Sequence, residues 1–307
     1  MNLVVLAAGE SQRLRPLNED RPAALVPFLG RPLLDWTLSA ARECGLSNIT
    51  VVGGYKFEGL EKYQVRLLKN PDFASTSMVG SLMIADQFFG DEFVVSYGDI
   101  AYRPDVLRAL LASPADIAAV VDLDWQPYWE RRFGDALVDA RSLRMLADGT
   151  IRSIGRPVNR MDDVHGQFAG LAMFRGRGVK ALRRAWQRAT ADAAYRRPIL
   201  GHCNALNHLV LTDVLDELIT GDVPVKAVQI HGGWVEIDTP SDVAAGEERF
   251  GASPTSEAAA SEPATAGPDS SGPVSAAPSS GGPGPGGSVS SDPAPLSLPT
   301  FYPRRRW

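Results

Sequence analysis

From Asn2 to Phe250 the hydrophobic positions fall into two alternating rhythms. Short unbroken apolar runs, of the kind that form strands covered on both faces, are Asn2–Ala7, Ile49–Val52, Val65–Leu68, Phe93–Ser96 and Ile117–Leu123. Between several of them come stretches with helical spacing. Pro32 opens one in which Leu34, Leu38 and Ala41 share a face, and Gly45 closes it. Ser77–Phe89 and Pro104–Leu111 read as further helices. This order predicts an α/β fold with a mostly parallel sheet and helices on both faces. Past Leu123 the rhythm changes. Asp148-Gly149 marks a hairpin turn between short strands, Gln167–Phe174 is another strand, and helices follow near 178–190 and 206–219. Lys226–Ile230 and Trp234–Ile237 resume strand character, and Pro240 starts a last helix.

Composition alters this picture at one place. After Phe250, residues 251–296 are almost entirely Ser, Pro, Ala and Gly with a few acids. Such a segment cannot bury enough apolar surface to offset the entropy of ordering. The expected organisation is therefore a folded domain over 1–250 and a disordered tail over 251–307, ending in the aromatic and basic Phe301-Tyr302-Pro303-Arg304-Arg305-Arg306-Trp307. A net charge of −5 argues against a nucleic-acid binder, which needs a basic stripe. No apolar run approaches the roughly 18 residues of a membrane span. The start, Met-Asn-Leu-Val-Val-Leu, lacks the basic region of a signal peptide, and Cys44 and Cys203 are too few for a disulfide framework. Cytoplasmic residence is the expectation.

Three strand ends carry candidate chemistry. The first strand runs into Leu6-Ala7-Ala8-Gly9, whose small side chains let backbone groups approach a base and phosphates closely. Arg13 and Arg15 follow and can neutralise a polyphosphate, although a surface loop with scattered arginines would look the same. Neither G-x-G-x-x-G nor G-x-x-x-x-G-K-[ST] is present. Phe93-Val94-Val95-Ser96-Tyr97-Gly98-Asp99 puts a carboxylate at a strand's carboxyl end, where Mg²⁺ could take it together with phosphate oxygens. Trp234-Val235-Glu236-Ile237-Asp238-Thr239-Pro240 repeats the pattern, with helix capping by Asp238 or Thr239 as the plainer role.

Taken together, Leu6-Ala7-Ala8-Gly9, Arg13 and Pro22 resemble the signature loop of the nucleotidyltransferases that activate sugar phosphates, phosphocholine and phosphonates. "NPDFASTSMVGSL", "SYGD", "IGR", "GQFAGLAMF", "LTDVL" and "GGWVEIDTPSD" are most similar to the phosphocholine and phosphonate cytidylyltransferases, in the same order over roughly residues 2–248. The resemblance implies a single domain of the nucleotidyltransferase fold, with a Rossmann-like, mostly parallel (mixed) sheet, and Mg²⁺-dependent transfer of CMP from CTP to a small acceptor, with pyrophosphate released. It assigns Leu6, Ala7, Ala8 and Gly9 to the nucleotide cradle, Arg13 to the triphosphate and Ser81 to the nucleoside. Asp99 and Asp238 become the metal ligands and, with Arg13, the catalytic set. One departure stands out: relatives usually carry Lys directly after the loop proline, where this chain has Ala23. Arg21, Arg15 and Lys56 are the candidate substitutes. The acid before the glycine in many relatives is also gone, since the motif here reads Tyr97-Gly98-Asp99.

The acceptor is expected to be a small anionic phosphonate or phosphate. Arg132 and Arg156, with Glu236, are its candidate contacts. Trp125, Tyr128 and Trp129 could instead cage a quaternary ammonium, as phosphocholine would need, or simply pack a lid. A sugar-1-phosphate nucleotidyltransferase and a non-catalytic nucleotide-binding regulator, the latter prompted by Ala23, are the competing readings. His202, Cys203 and His208 fit no usual zinc spacing, and no G-x-S-x-G elbow supports a hydrolase. Asp213 could face the acceptor or support its loop. Pairing as a homodimer stays open.

Overall fold

The computed structural model describes residues 1–194, 200 and 205–252. The expected tail, from residue 253 onward, lies outside the described residues, as do His202 and Cys203.

Along the chain come β1 (Asn2–Ala7), the short pair β2 (Pro27–Phe28) and β3 (Arg31–Pro32), α1 (Leu33–Glu43), β4 (Asn48–Gly53), β5 (Arg66–Lys69) and α2 (Met78–Ile84). Next are β6 (Glu92–Tyr97), β7 (Ile100–Tyr102), α3 (Pro104–Leu111), β8 (Ile117–Asp122) and α4 (Trp125–Phe133). The hairpin strands β9 (Arg141–Met145) and β10 (Ile151–Pro157) follow, then β11 (Gln167–Arg175), α5 (Arg177–Ala194) and α6 (Leu211–Thr220). β12 (Lys226–Ile230), β13 (Trp234–Glu236) and α7 (Pro240–Ala252) complete the order.

Seven strands form the central sheet in the order β12-β8-β11-β6-β1-β4-β5. All pairs are parallel except those of β11, which runs antiparallel to both β6 and β8. The mixed, mostly parallel sheet expected from the sequence is therefore present. Every residue of β1 and of β8 is buried, so both faces of the sheet are covered. The chain leaves β1 for β4 and β5 on one side, then returns to place β6 on the other. That reversal makes the β1–β6 boundary a topological switch point, the position at which open α/β sheets bind ligands beyond their carboxyl ends.

Two expectations need correction here. The helix read over Ser77–Phe89 is α2 followed by a separate 3-10 turn, Asp86–Phe88, because the chain leaves α-helical geometry at Ala85. The aromatic stretch around Trp125, weighed above as an ammonium cage or a lid, is the regular helix α4. Its Trp125, Tyr128 and Trp129 recur at helical spacing and are 3%, 2% and 2% exposed, so they face the interior.

Candidate functional site

β1 delivers Leu6 to Gly9 to the switch point, and two neighbours fix the loop that follows. Asn18, fully buried, donates from Nδ2 to the carbonyls of Glu10 (2.6 Å) and Ser11 (3.1 Å). The Tyr55 amide, just past β4, donates to the Ala8 carbonyl at 3.0 Å. On the other side Gly98 follows β6 so closely that a Cβ there would stand 2.5 Å from the Leu6 carbonyl oxygen and 3.1 Å from the Ala7 Cα. Glycine is what allows the Gly98-Asp99 turn to lie against β1.

A cleft opens at this point, lined by Leu6, Ala8, Gly9, Phe73, Thr76, Ser77, Met78 and Ser81. Four of the residues read from sequence as nucleotide contacts thus share one cavity: Leu6, Ala8, Gly9 and Ser81. Ala7 does not line it and lies under Gly98. Sequence reasoning missed the residue that orients Ser81. Asn70, buried just beyond β5, donates to the Ser81 hydroxyl (2.9 Å) and the Thr76 hydroxyl (2.8 Å), while its own amide donates to the Gly53 carbonyl (2.7 Å). The signal was an asparagine directly after a strand, opening the "NPDFASTS" stretch. Ser77 caps α2, its hydroxyl accepting from the Gly80 amide at 2.9 Å.

Backbone pairing brings Asp99 and Asp238 to one end of a short ladder. β7 and β13 form an antiparallel ladder in which Ile100 faces Glu236, and the Ile237 amide extends it by donating to the Asp99 carbonyl at 2.9 Å. The two aspartates therefore emerge at the same end of one ladder. Both are buried, at 4% and 8% exposure. Asp238 Oδ2 accepts from Arg13 Nη2 at 3.0 Å, a contact between residues 225 positions apart. Among the described residues no group of three His, Cys, Asp or Glu side chains converges as a metal cage. Two carboxylates at strand ends are nonetheless a donor set that fits Mg²⁺, which takes one or two carboxylates and completes its shell with phosphate oxygens and water.

The residues expected to grip the acceptor have other duties. Arg132 has a fully buried side chain and contacts Glu236 Oε2 (3.4 Å), Asp238 Oδ2 (3.4 Å) and Asp242 Oδ2 (3.0 Å). Burial opposes its charge, but Glu236 and the bonded Asp242 outweigh that and hold the guanidinium above its ordinary range. Its Cζ also lies 5.2, 5.0 and 4.7 Å from the ring centroids of Tyr128, Trp129 and Phe133. Two of the three rings weighed for an ammonium cage, Tyr128 and Trp129, thus already face the protein's own cation. Arg132 and Glu236, expected as acceptor contacts, form an internal ion pair beside Asp238. Asp242 belongs to this cluster and was missed: its Oδ2 also accepts from the amides of Asp238 and Thr239, both at 2.9 Å, which fastens Asp238 to the start of α7. Arg156 donates from Nε to Asp216 Oδ2 at 3.0 Å and ties β10 to α6 with about half its side chain exposed. Asp213 accepts from the Val210 amide (3.1 Å) and caps α6.

The small-residue cleft, the arginines beside it and the two strand-end carboxylates all stand at the switch point, where open α/β sheets hold their ligands. The chain belongs to the MobA-like NTP transferase domain family, whose model matches residues 3–202. It is 30% identical to the CTP:phosphoglutamine cytidylyltransferase of Campylobacter jejuni over 254 residues, covering 79% of this chain and 98% of that protein. It is 27% identical to the CMP-5'-(3-aminopropyl)phosphonate synthase of Streptomyces rubellomurinus, over 83% of this chain and 39% of that longer protein. Among solved structures, the CTP:phosphocholine cytidylyltransferase of Streptococcus pneumoniae superposes with a TM-score of 0.58 at 20% identity, covering 80% of this chain and 97% of that one. The inositol-1-phosphate CTP transferase of T. maritima gives 0.59 at 17% identity, over 78% and 90%. At those identities the structural likeness concerns the fold. No helix among the described residues is long and apolar enough to cross a membrane.

Proposed function

We propose that this chain is a cytidylyltransferase that moves CMP from CTP to a small phosphonate or phosphate acceptor and releases pyrophosphate. The observation that carries the reading is the joint placement of a neutral, small-residue cleft at the end of β1 and two aspartates at the end of the β7–β13 ladder. The relatives add the nucleotide: two are named for cytidylyl or CMP products, one with a phosphorylated amide and one with a phosphonate. A phosphonate is preferred to phosphocholine, because Arg132 already faces Tyr128 and Trp129, two of the rings weighed for a quaternary ammonium.

In the proposed reaction an acceptor oxygen attacks the α-phosphorus of CTP in line. The new P–O bond forms as the bond to the β-phosphate's bridging oxygen breaks, and that oxygen leaves on pyrophosphate. Leu6, Ala8 and Gly9 admit the nucleotide close to the backbone, and Ser81, held by Asn70, presents its hydroxyl to the nucleoside. Arg13 is about half exposed and uses one nitrogen on Asp238, which leaves further N–H donors for the triphosphate. Asp99 and Asp238 would hold Mg²⁺, which when bound neutralises charge building on the triphosphate oxygens. Arg132 and Asp242 keep Asp238 in place. Residues 1–250 are proposed as the catalytic unit and the tail as an appendage.

A pyrophosphate-release matrix tests the reading, with four nucleotides set against phosphonates, phosphocholine, phosphorylated amides and sugar phosphates in Mg²⁺. The expected result is turnover with CTP and a small phosphonate, unchanged when residues 251–307 are removed. Preference for UTP or dTTP with hexose phosphates would sink it. CTP binding without turnover on any acceptor would point to a regulator.

A further inference from the structure

Four cations stand around the loop after β1, and three of them already hold a carboxylate. Arg13 contacts Asp238 at 3.0 Å, Arg15 is paired with Glu10, and Arg21 contacts Asp20 at 2.8 Å. Lys56 differs: no carboxylate of the described residues lies within 4.0 Å of its ammonium. A bound polyphosphate would have to compete with a contacting carboxylate for each arginine, whereas among the described residues Lys56 has no carboxylate in contact and feels Asp20 and Glu58 only at longer range.

Its position is built. β4 lies beside β1, with Gly53 facing Ala7, so the residues after β4 emerge next to the cradle. A Cβ on Gly54 would stand 2.8 Å from the Ala8 carbonyl oxygen and 2.5 Å from the Cβ of Phe73, a residue of the cleft wall. Tyr55 binds the Ala8 carbonyl through its amide and the Glu19 carbonyl through its hydroxyl (3.1 Å), and its ring meets Phe73 at 6.2 Å between centroids. The Lys56 ammonium lies over that same ring, 5.7 Å from the centroid. Lys56 itself has φ of 49°, a left-handed conformation that a lysine keeps only where its surroundings fix it. The Gly59 amide closes the turn on the Lys56 carbonyl at 3.1 Å, and Gly59 packs on Leu25 and Pro22, beside the uncharged Ala23. Arg21 and, more weakly, Lys56 hold the Asp20 carboxyl below the ordinary range, so the field of this ammonium reaches the signature loop.

We infer that Lys56 is the ammonium that receives the polyphosphate of the bound nucleoside triphosphate, at the end that departs as pyrophosphate. The inference rests on the nucleotidyltransfer reading above, and Lys56 forms no covalent bond in it.

Calorimetric titration of the full chain with CTP, CMP and inorganic pyrophosphate in Mg²⁺ tests it, using wild type, Lys56→Met and Lys56→Arg. Both substitutions keep a Cβ, so the backbone constraint at this position is unchanged. Lys56→Met should weaken CTP and pyrophosphate about ten-fold, the size of one charge-assisted contact, while CMP affinity and the thermal midpoint stay at wild-type values. Lys56→Arg should restore most of the loss. Equal CTP and pyrophosphate affinity in wild type and Lys56→Met overturns the inference and leaves the nucleotidyltransfer reading intact. An equal loss for CMP also overturns it, since that would mark a structural role. Wild type that binds none of the three overturns both.

Discussion

The region around β1 and α2 and the region around β13 and α7, which the proposed reaction joins, are built of opposite materials. The first is neutral: small side chains, hydroxyls and backbone groups, set by the amides of Asn18 and Asn70. The second concentrates Glu236, Asp238 and Asp242 around the buried Arg132. A neutral wall can be shaped by close approach alone. A buried carboxylate needs a cation to offset its desolvation, and that cation must then be buried as well. Charge buried among other charges, as at Arg132, therefore need not mark a residue that touches a ligand.

The contrast can be broken at several points. Asp99→Asn should lower turnover about a thousand-fold with only a modest change in CTP affinity, measured by pyrophosphate release beside calorimetry. Arg132→Met leaves three carboxylates without their buried partner and should cost about 3–5 kcal/mol in urea denaturation. A raised acceptor KM with stability unchanged would instead return Arg132 to the acceptor. Gly98→Ala forces a Cβ against the Leu6 carbonyl and should cost about 1–3 kcal/mol, with activity falling in parallel. On the neutral side, Asn70→Ala removes two donors and should cost about 1 kcal/mol for each hydrogen bond lost, with a rise in nucleotide KM. The smallest effect belongs to a surface pair outside both regions, Lys226 and Asp148. The hydrogen bond from Lys226 holds the Asp148 carboxyl below its ordinary value. Its contribution to stability is present above the unfolded aspartate pKa and is lost as the pH falls through the folded one. The difference in thermal midpoint between wild type and Lys226→Met should therefore shrink in acid.

How much of this was legible in the sequence differs between the same two regions. Pro104–Leu111 and Lys226–Ile230 agree with α3 and β12 residue for residue, because proline opens the first and Pro224 and Gly232-Gly233 bracket the second. Four cradle residues could be read from one contiguous motif and from the serine of a second. The break after α2 could not, since nothing in Ser77–Phe89 departs from a helical pattern before Ala85. Nor could the fate of Arg132. An arginine on an aromatic helix reads as a ligand contact or as a solvated face, and only the fold supplies its three carboxylates, 104 to 110 positions away. The Arg156–Asp216 pair escaped for the same reason, with its members 60 positions apart. Local order was readable; long-range charge pairing was not.

The ladder between β7 and β13 also has a consequence for synthesis on the ribosome. Cradle, first acid and the parallel half of the sheet are all translated by Tyr102, whereas the second acid and its clamp arrive only with Asp238 and Asp242. A nascent or prematurely terminated chain can thus hold every residue of the cleft wall while the opposing carboxylate has yet to be made, and the reaction proposed above would have to wait for the last helix.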